Sequence, residues 1–212
     1  MRSIADKPDI VRRISPHIDT VQLEKDLKQL RDTALSLGAA DAAVISINDV
    51  IFDPELVKRV NADCDYPSVH WPLHYPKDDI VEAIKTYQWA IFFGMEIDSD
   101  FPHYGGGPIT NVEHLRKYLN LYEITSALES SGFYRGYHLS LGLATGNCRS
   151  VFCADEKRCW AMVKGQVCIR PNIGRPSMEA AGINALSIAE TLSWHLPYGE
   201  SHPMLAGLVM IT

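Results

Sequence analysis

The stretch TVQLEKDLKQLRDTALSLGAADAAVISI, residues 20–47, changes its pattern at the glycine. Before Gly38, apolar residues fall at Leu23, Leu27, Leu30, Ala34 and Leu37, three or four apart, which gives a helix one apolar face, with Asp19 or Thr20 as its N-cap. After it, Ala42-Ala43-Val44-Ile45-Ser46-Ile47 reads as a buried strand. A helix delivered by a glycine into a buried strand implies helices layered on a sheet, an α/β domain rather than an all-α one.

The same alternation continues downstream. Pro54 opens a short helix. Residues 77–88 are helical by Ile80, Ala83, Ile84 and Tyr87, and they feed a second buried strand, Trp89-Ala90-Ile91-Phe92-Phe93. Thr110 or Asn111 caps a long helix with Val112, Leu115, Leu119 and Tyr122 on one face, ending near Ser130 ahead of Gly132. Tyr137 to Leu143 is a third strand candidate, helix restarts at Pro176-Ser177-Met178-Glu179 and breaks around Gly182, and Gly207 to Ile211 is a last strand. Residues 61–76, with three prolines, and 98–108, with Gly105-Gly106-Gly107, read as loops.

With 212 residues, 46% of them hydrophobic, the chain suffices for one domain spanning residues 1–212 with a core that needs no staples. Lys and Arg number 20 against 26 Asp and Glu, and the net charge of -6 argues against nucleic acid held through phosphates and against an anionic membrane surface. Met1 to Val21 has no apolar core of the secretory kind, and no run of 18 apolar residues occurs, so a cytoplasmic protein is expected. In that compartment cysteines serve as thiolates or metal ligands rather than disulfides.

Four of the five cysteines, Cys148, Cys153, Cys159 and Cys168, fall in a region from Ala144 to Arg175 that has no regular periodicity. Something other than apolar burial must organise this segment, and four thiolates around a metal centre would do so. Zinc sites bring ligands in close pairs, which only Cys148 and Cys153 approach, and the run is not that of bacterial ferredoxins either. A 4Fe-4S cubane accepts cysteines from irregular loops because each thiolate goes to a different iron, so the spacing favours iron–sulfur and leaves zinc open. Residues 148–175 also carry a local charge of +4, leaving -10 on the remainder of the chain. Cations beside an anionic cluster stabilise it and raise its potential.

These residues carry a resemblance. Gly146-Asn147-Cys148-Arg149, Val151-Phe152-Cys153, Cys159, Gly165-x2-Cys168-x-Arg170-Pro171 and the run Arg175-Pro176-Ser177-Met178-Glu179-Ala180-Ala181-Gly182-Ile183 resemble the C-terminal signature of a family of predicted metal-binding proteins of unknown function. Those proteins are similar to iron–sulfur proteins of bacteria and archaea, often anaerobes. The resemblance implies metal binding by a C-terminal segment, here residues 144–182, and implies no particular reaction. Family members often carry further cysteines in the upstream loop, one of them before paired prolines. This sequence has Cys64 alone there and reads Leu73-His74-Tyr75-Pro76 nearby.

Cys64, His70 and His74 could form a second, mononuclear site with Asp63 or Asp65, but Pro67 and Pro72 exclude the helical spacing that would pair the histidines. The glycine triplet lacks the Lys-Ser or Lys-Thr of a phosphate loop, and neither G-x-S-x-G nor H-E-x-x-H occurs. Arg170 and Arg175 read as residues that orient the turns of the cysteine segment, and Glu179 as a carboxylate placed at the positive end of a helix. The expectation is a cytoplasmic iron–sulfur protein with one 4Fe-4S cluster on Cys148, Cys153, Cys159 and Cys168, in electron transport or redox chemistry with a redox partner protein or a small-molecule substrate. The alternative is a non-enzymatic accessory or interaction module with structural zinc.

Overall fold

Asp19 caps the first helix, its Oδ1 accepting from the Val21 N–H at 3.2 Å, and α1 runs over Thr20–Ser36. Leu27, Leu30 and Ala34 are buried on its inner face, as the spacing requires, whereas Leu37 lies past the last turn and is exposed. A computed structural model describes residues 19–63, 80–97, 108–162, 166–194 and 205–211. Gly38 turns the chain with φ +106° into β1, Asp41–Ser46. Then follow α2 (Pro54–Asp63), α3 (Ile80–Lys85), β2 (Trp89–Gly94), α4 (Val112–Tyr134), β3 (Leu141–Ala144), α5 (Cys148–Phe152), α6 (Ala185–Thr191) and β4 (Ala206–Ile211).

The four strands form one antiparallel sheet in the order β1-β2-β4-β3, with Val44 opposite Ile91, Ile91 opposite Val209 and Leu143 opposite Leu208. Both faces are covered. Ile91, Phe93, Val209 and Ile211 pack against α1 and α4, while Phe92, Leu208, Met210 and Leu143 pack against Ile84 of α3 and the chain from Met178 to Ala189. A strand buried on both faces reads as a continuous apolar run, which is why β1, β2 and β4 are recognisable in the sequence. The fold is therefore the expected α/β domain, with its sheet antiparallel throughout.

Three sequence expectations shift. α4 does not stop ahead of Gly132 but continues through it to Tyr134, because this glycine serves close packing: a Cβ there would lie 2.5 Å from Ser140 Oγ. Val112 at the start of α4 is 66% exposed rather than part of the apolar face. The third strand is shorter than expected, since Tyr137 belongs to the turn before it, where its carbonyl accepts from the Ser140 N–H at 3.0 Å. The Tyr137 side chain is nonetheless buried, its hydroxyl donating to Asp26 Oδ2 at 2.9 Å, and Arg135 lies 3.6 Å from the same carboxylate, so α1 is joined to the end of α4 by a polar contact inside the core. Such a buried group is tolerated only because it is paired.

Candidate metal centre

The cysteine segment leaves the sheet at Ala144 and returns to the same residue. Ala144 N–H donates to Pro176 O at 3.0 Å and Ala144 O accepts from the Met178 N–H at 2.7 Å, so residues 145–176 form a loop closed at its neck. Thr145 fastens the outgoing side to β4, where its Oγ1 accepts from the Ala206 N–H at 2.9 Å. A loop of this length is uncommon inside a compact domain unless it has a function.

Asn147 begins α5, its Oδ1 accepting from the Arg149 N–H at 2.9 Å. The helix lasts five residues and places Cys148 in the core beside α4, where Phe152 meets Tyr122 edge-on at 5.1 Å between ring centroids. Arg149 is buried and donates to Glu156 O, while the Cys153 N–H donates to Arg149 O at 2.9 Å. Trp160 Nε1 donates to Glu156 Oε2 at 3.2 Å, which folds the turn carrying Cys159 back onto this short helix. On the returning side the Arg170 N–H donates to Cys168 Sγ at 3.3 Å. Hydrogen bonds to a cysteine sulfur of this kind orient a ligand and tune what it binds.

Arg175 does orient the turns, and its partner lies far away along the chain. Its guanidinium forms an ion pair with Glu129 of α4 and also donates to the carbonyls of Pro171, Asn172 and Gly174. Glu129 Oε1 in turn accepts from the Gly142 N–H of β3 at 3.1 Å. One Glu–Arg clip thus holds the end of the cysteine loop against α4 and β3. The Glu129–Arg175 pair joins residues 46 apart, so no local pattern announces it.

Glu179 also differs from its sequence reading. It opens a helical turn of only three residues, Glu179–Ala181, followed by Gly182 at φ +76°. Although part of the residue is accessible, its Oε2 is sealed from solvent with no partner among the described residues. Burial raises the carboxyl to about 7, even though the Glu179 and Gly146 N–H groups and the Ser177 hydroxyl donate to it. Tyr122 is wholly buried, and its hydroxyl likewise lacks a partner among the described residues. Burial pushes it up, followed by the charges of Cys148, Tyr118 and Glu179. Tyr122, which feels both Cys148 and Glu179, thus sets a polar group into apolar packing that sequence periodicity reads as core.

Cys148, Cys153, Cys159 and Cys168 are all free thiols. Cys153, Cys159 and Cys168 line one cavity of about 10 Å³ together with Arg149, Arg158, Trp160 and Ile169. Cys148 stands behind it: burial raises its thiol, and the charges of Cys159, Cys168 and Cys153 raise it further. The Cys153 thiol is raised by burial and by Cys168 and Cys159, and lowered by Arg170. Cys148 and Cys153, whose ionisation the neighbouring thiols disfavour, belong to a donor set that a cation would satisfy, since a bound metal reverses the repulsion. They fit a thiolate-bound metal group by chemistry. Among the described residues, however, no three His, Cys, Asp or Glu side chains close on a point that one ion would occupy. Cys64, His70, His74 and the glycine triplet lie outside the described residues. No described helix is long and apolar enough to cross a membrane.

The chain belongs to the family described as predicted metal-binding protein (DUF2284), whose sequence profile matches residues 43–211. No curated protein and no solved structure gives a match.

Proposed function

We propose that this predicted metal-binding protein holds one 4Fe-4S cluster on Cys148, Cys153, Cys159 and Cys168 and passes single electrons in the cytoplasm. The observation that carries the proposal is the gathering of four free thiols into one loop with a closed neck and little regular structure. A lone tetrahedral zinc, with Zn–S of about 2.3 Å, draws its sulfurs to within roughly 4 Å of one another. A cubane instead takes each thiolate at a separate iron, which suits cysteines delivered from irregular backbone.

Bound there, the cluster supplies a reversible one-electron couple. The chain does the rest. Cys148, Cys153, Cys159 and Cys168 would supply one thiolate to each iron, which would leave no position for a substrate. Arg149, held by the Glu156 carbonyl, and Arg170, whose N–H donates to Cys168, supply positive charge and a hydrogen bond to an anionic group, which raises its potential. Cys148 and Cys159 are buried and Cys153 and Cys168 half-buried, so one edge of the site faces outward.

Protein purified without oxygen should be brown and contain about four irons and four sulfides per chain, both lost in air. Stoichiometric zinc with no acid-labile sulfide would overturn the proposal in favour of a structural-zinc accessory module.

A further inference from the structure

The outward edge of the cysteine site has a chemistry of its own. Val167 and Ile169, on either side of half-buried Cys168, are 68% and 45% exposed, and Ile169 also lines the cavity. Arg158 and Arg170 are exposed beside the same opening. Arg158 lies 5.0 Å over the Trp160 ring at the cavity wall, and Arg170 is close enough to Cys153 to lower its thiol. Other charges of the loop are engaged elsewhere: Arg149 by the Glu156 carbonyl, Arg175 by Glu129, and the Glu156 carboxylate by Trp160. Lys157 and Asp155 are exposed next to Arg158. Among the described residues the rim thus sets two exposed aliphatic side chains beside Arg158 and Arg170, with Lys157 and Asp155 next to Arg158, on a chain whose net charge is -6.

We infer that this rim is the docking face for an acidic electron-carrier protein, which seats apolar surface on Val167 and Ile169 and sets carboxylates against Arg158 and Arg170. The inference rests on the electron-transfer reading of the site. Charge complementarity selects the partner: a basic rim on an acidic molecule orients an acidic protein toward this one face, whereas the net charge repels extended polyanions such as nucleic acid or an anionic bilayer. A small apolar centre ringed by a few charges suits a transient encounter, the low end of interface size. A reduced cluster held there would give one electron to the carrier, with no bond formed or broken.

The test uses the full chain with iron and sulfide quantified, a strongly acidic plant-type ferredoxin as probe, and anionic hexacyanoferrate and cationic hexaammineruthenium as small controls. Stopped-flow transfer to the ferredoxin should slow by roughly tenfold between about 0.01 M and 0.15 M ionic strength. The double substitution Arg158→Glu and Arg170→Glu should abolish or invert that salt slope, and Val167→Ser with Ile169→Ser should weaken saturation without altering the slope. Hexacyanoferrate should lose its advantage over hexaammineruthenium in the charge-reversed chain. Reading the slope per loaded cluster separates docking from any shift in potential. A loaded chain whose rates ignore salt and charge reversal, or which binds anionic vesicles through this face instead, would overturn the docking inference alone. A chain that takes up no cluster would overturn the proposed function and this inference with it.

Discussion

Phe92 and Phe93 at the centre of β2 are wholly buried among apolar neighbours on the two faces of the sheet, whereas Cys148 and Cys159, also buried, sit in a loop tied mainly by carbonyls, one Glu–Arg pair and a few turns. The sheet is stabilised by area removed from water, at about 25 cal/mol per Å². The loop draws on that term through Cys148, Val151, Phe152 and Ile173, while the neighbouring thiols raise the ionisation cost of Cys148 and Cys153. The difference teaches that the domain can fold around its sheet, and on the proposed reading the loop takes its final form from what the thiols hold. Breaking one region should therefore leave the other recognisable.

The largest effect is expected in the loop. Cys153→Ser should remove most of the iron yet preserve the far-ultraviolet circular dichroism of the sheet and helices, and trypsin should cut the iron-free chain at exposed Lys157 or Arg158 faster than the loaded one. Unfolding of the whole domain on iron loss would erase the distinction between the regions.

In the sheet, Gly207 faces Phe93 so closely that a Cβ would lie 2.3 Å from the ring Cζ. Gly207→Ala should cost roughly 3 kcal/mol by overpacking, measured by urea unfolding, while the folded fraction still loads iron normally.

Glu179 gives a pH signature. A carboxyl raised in the folded chain from 4.5 to about 7 keeps its proton where the unfolded chain has released it, so its effect is to lower stability as pH rises between those values. Glu179→Gln keeps the acceptor and removes the titration. The variant should gain up to about 3 kcal/mol over the native chain on going from pH 4.5 to pH 7, and parallel stability curves would show that the carboxyl is not enclosed. Arg175→Ala, which strands half-buried Glu129, should cost roughly 2 kcal/mol and slow iron loading because the loop end comes loose. Smallest is Cys64→Ser: four ligands exist without it, so iron content should be unchanged, and a loss equal to that of Cys153→Ser would bring the upstream loop into the site.

The legible parts of the molecule are those specified locally. α1 shows in its apolar spacing and cap, and β1, β2 and β4 show as apolar runs because both sheet faces are covered. The cysteine cluster is legible because its four residues share a segment with no period. Illegible were features that depend on distant partners. Gly132 reads as a helix stop until Ser140 is seen against it, Tyr137 reads as strand until its hydroxyl finds Asp26, and Glu179 reads as a carboxylate at a positive helix end until its burial beside Ser177 and Gly146 is seen. The Glu129–Arg175 clip belongs to the same class.

The central claim, that four cysteines hold a fully ligated cluster which passes one electron, is tested most directly by electron paramagnetic resonance of the anaerobically loaded chain during a redox titration. The account predicts a reversible one-electron couple, with about one spin per chain in the reduced state and a signal unchanged by cyanide or small substrates. Ready loss of one iron to a three-iron form, or a signal that shifts when a small molecule is added, would contradict full ligation and point to an open iron instead.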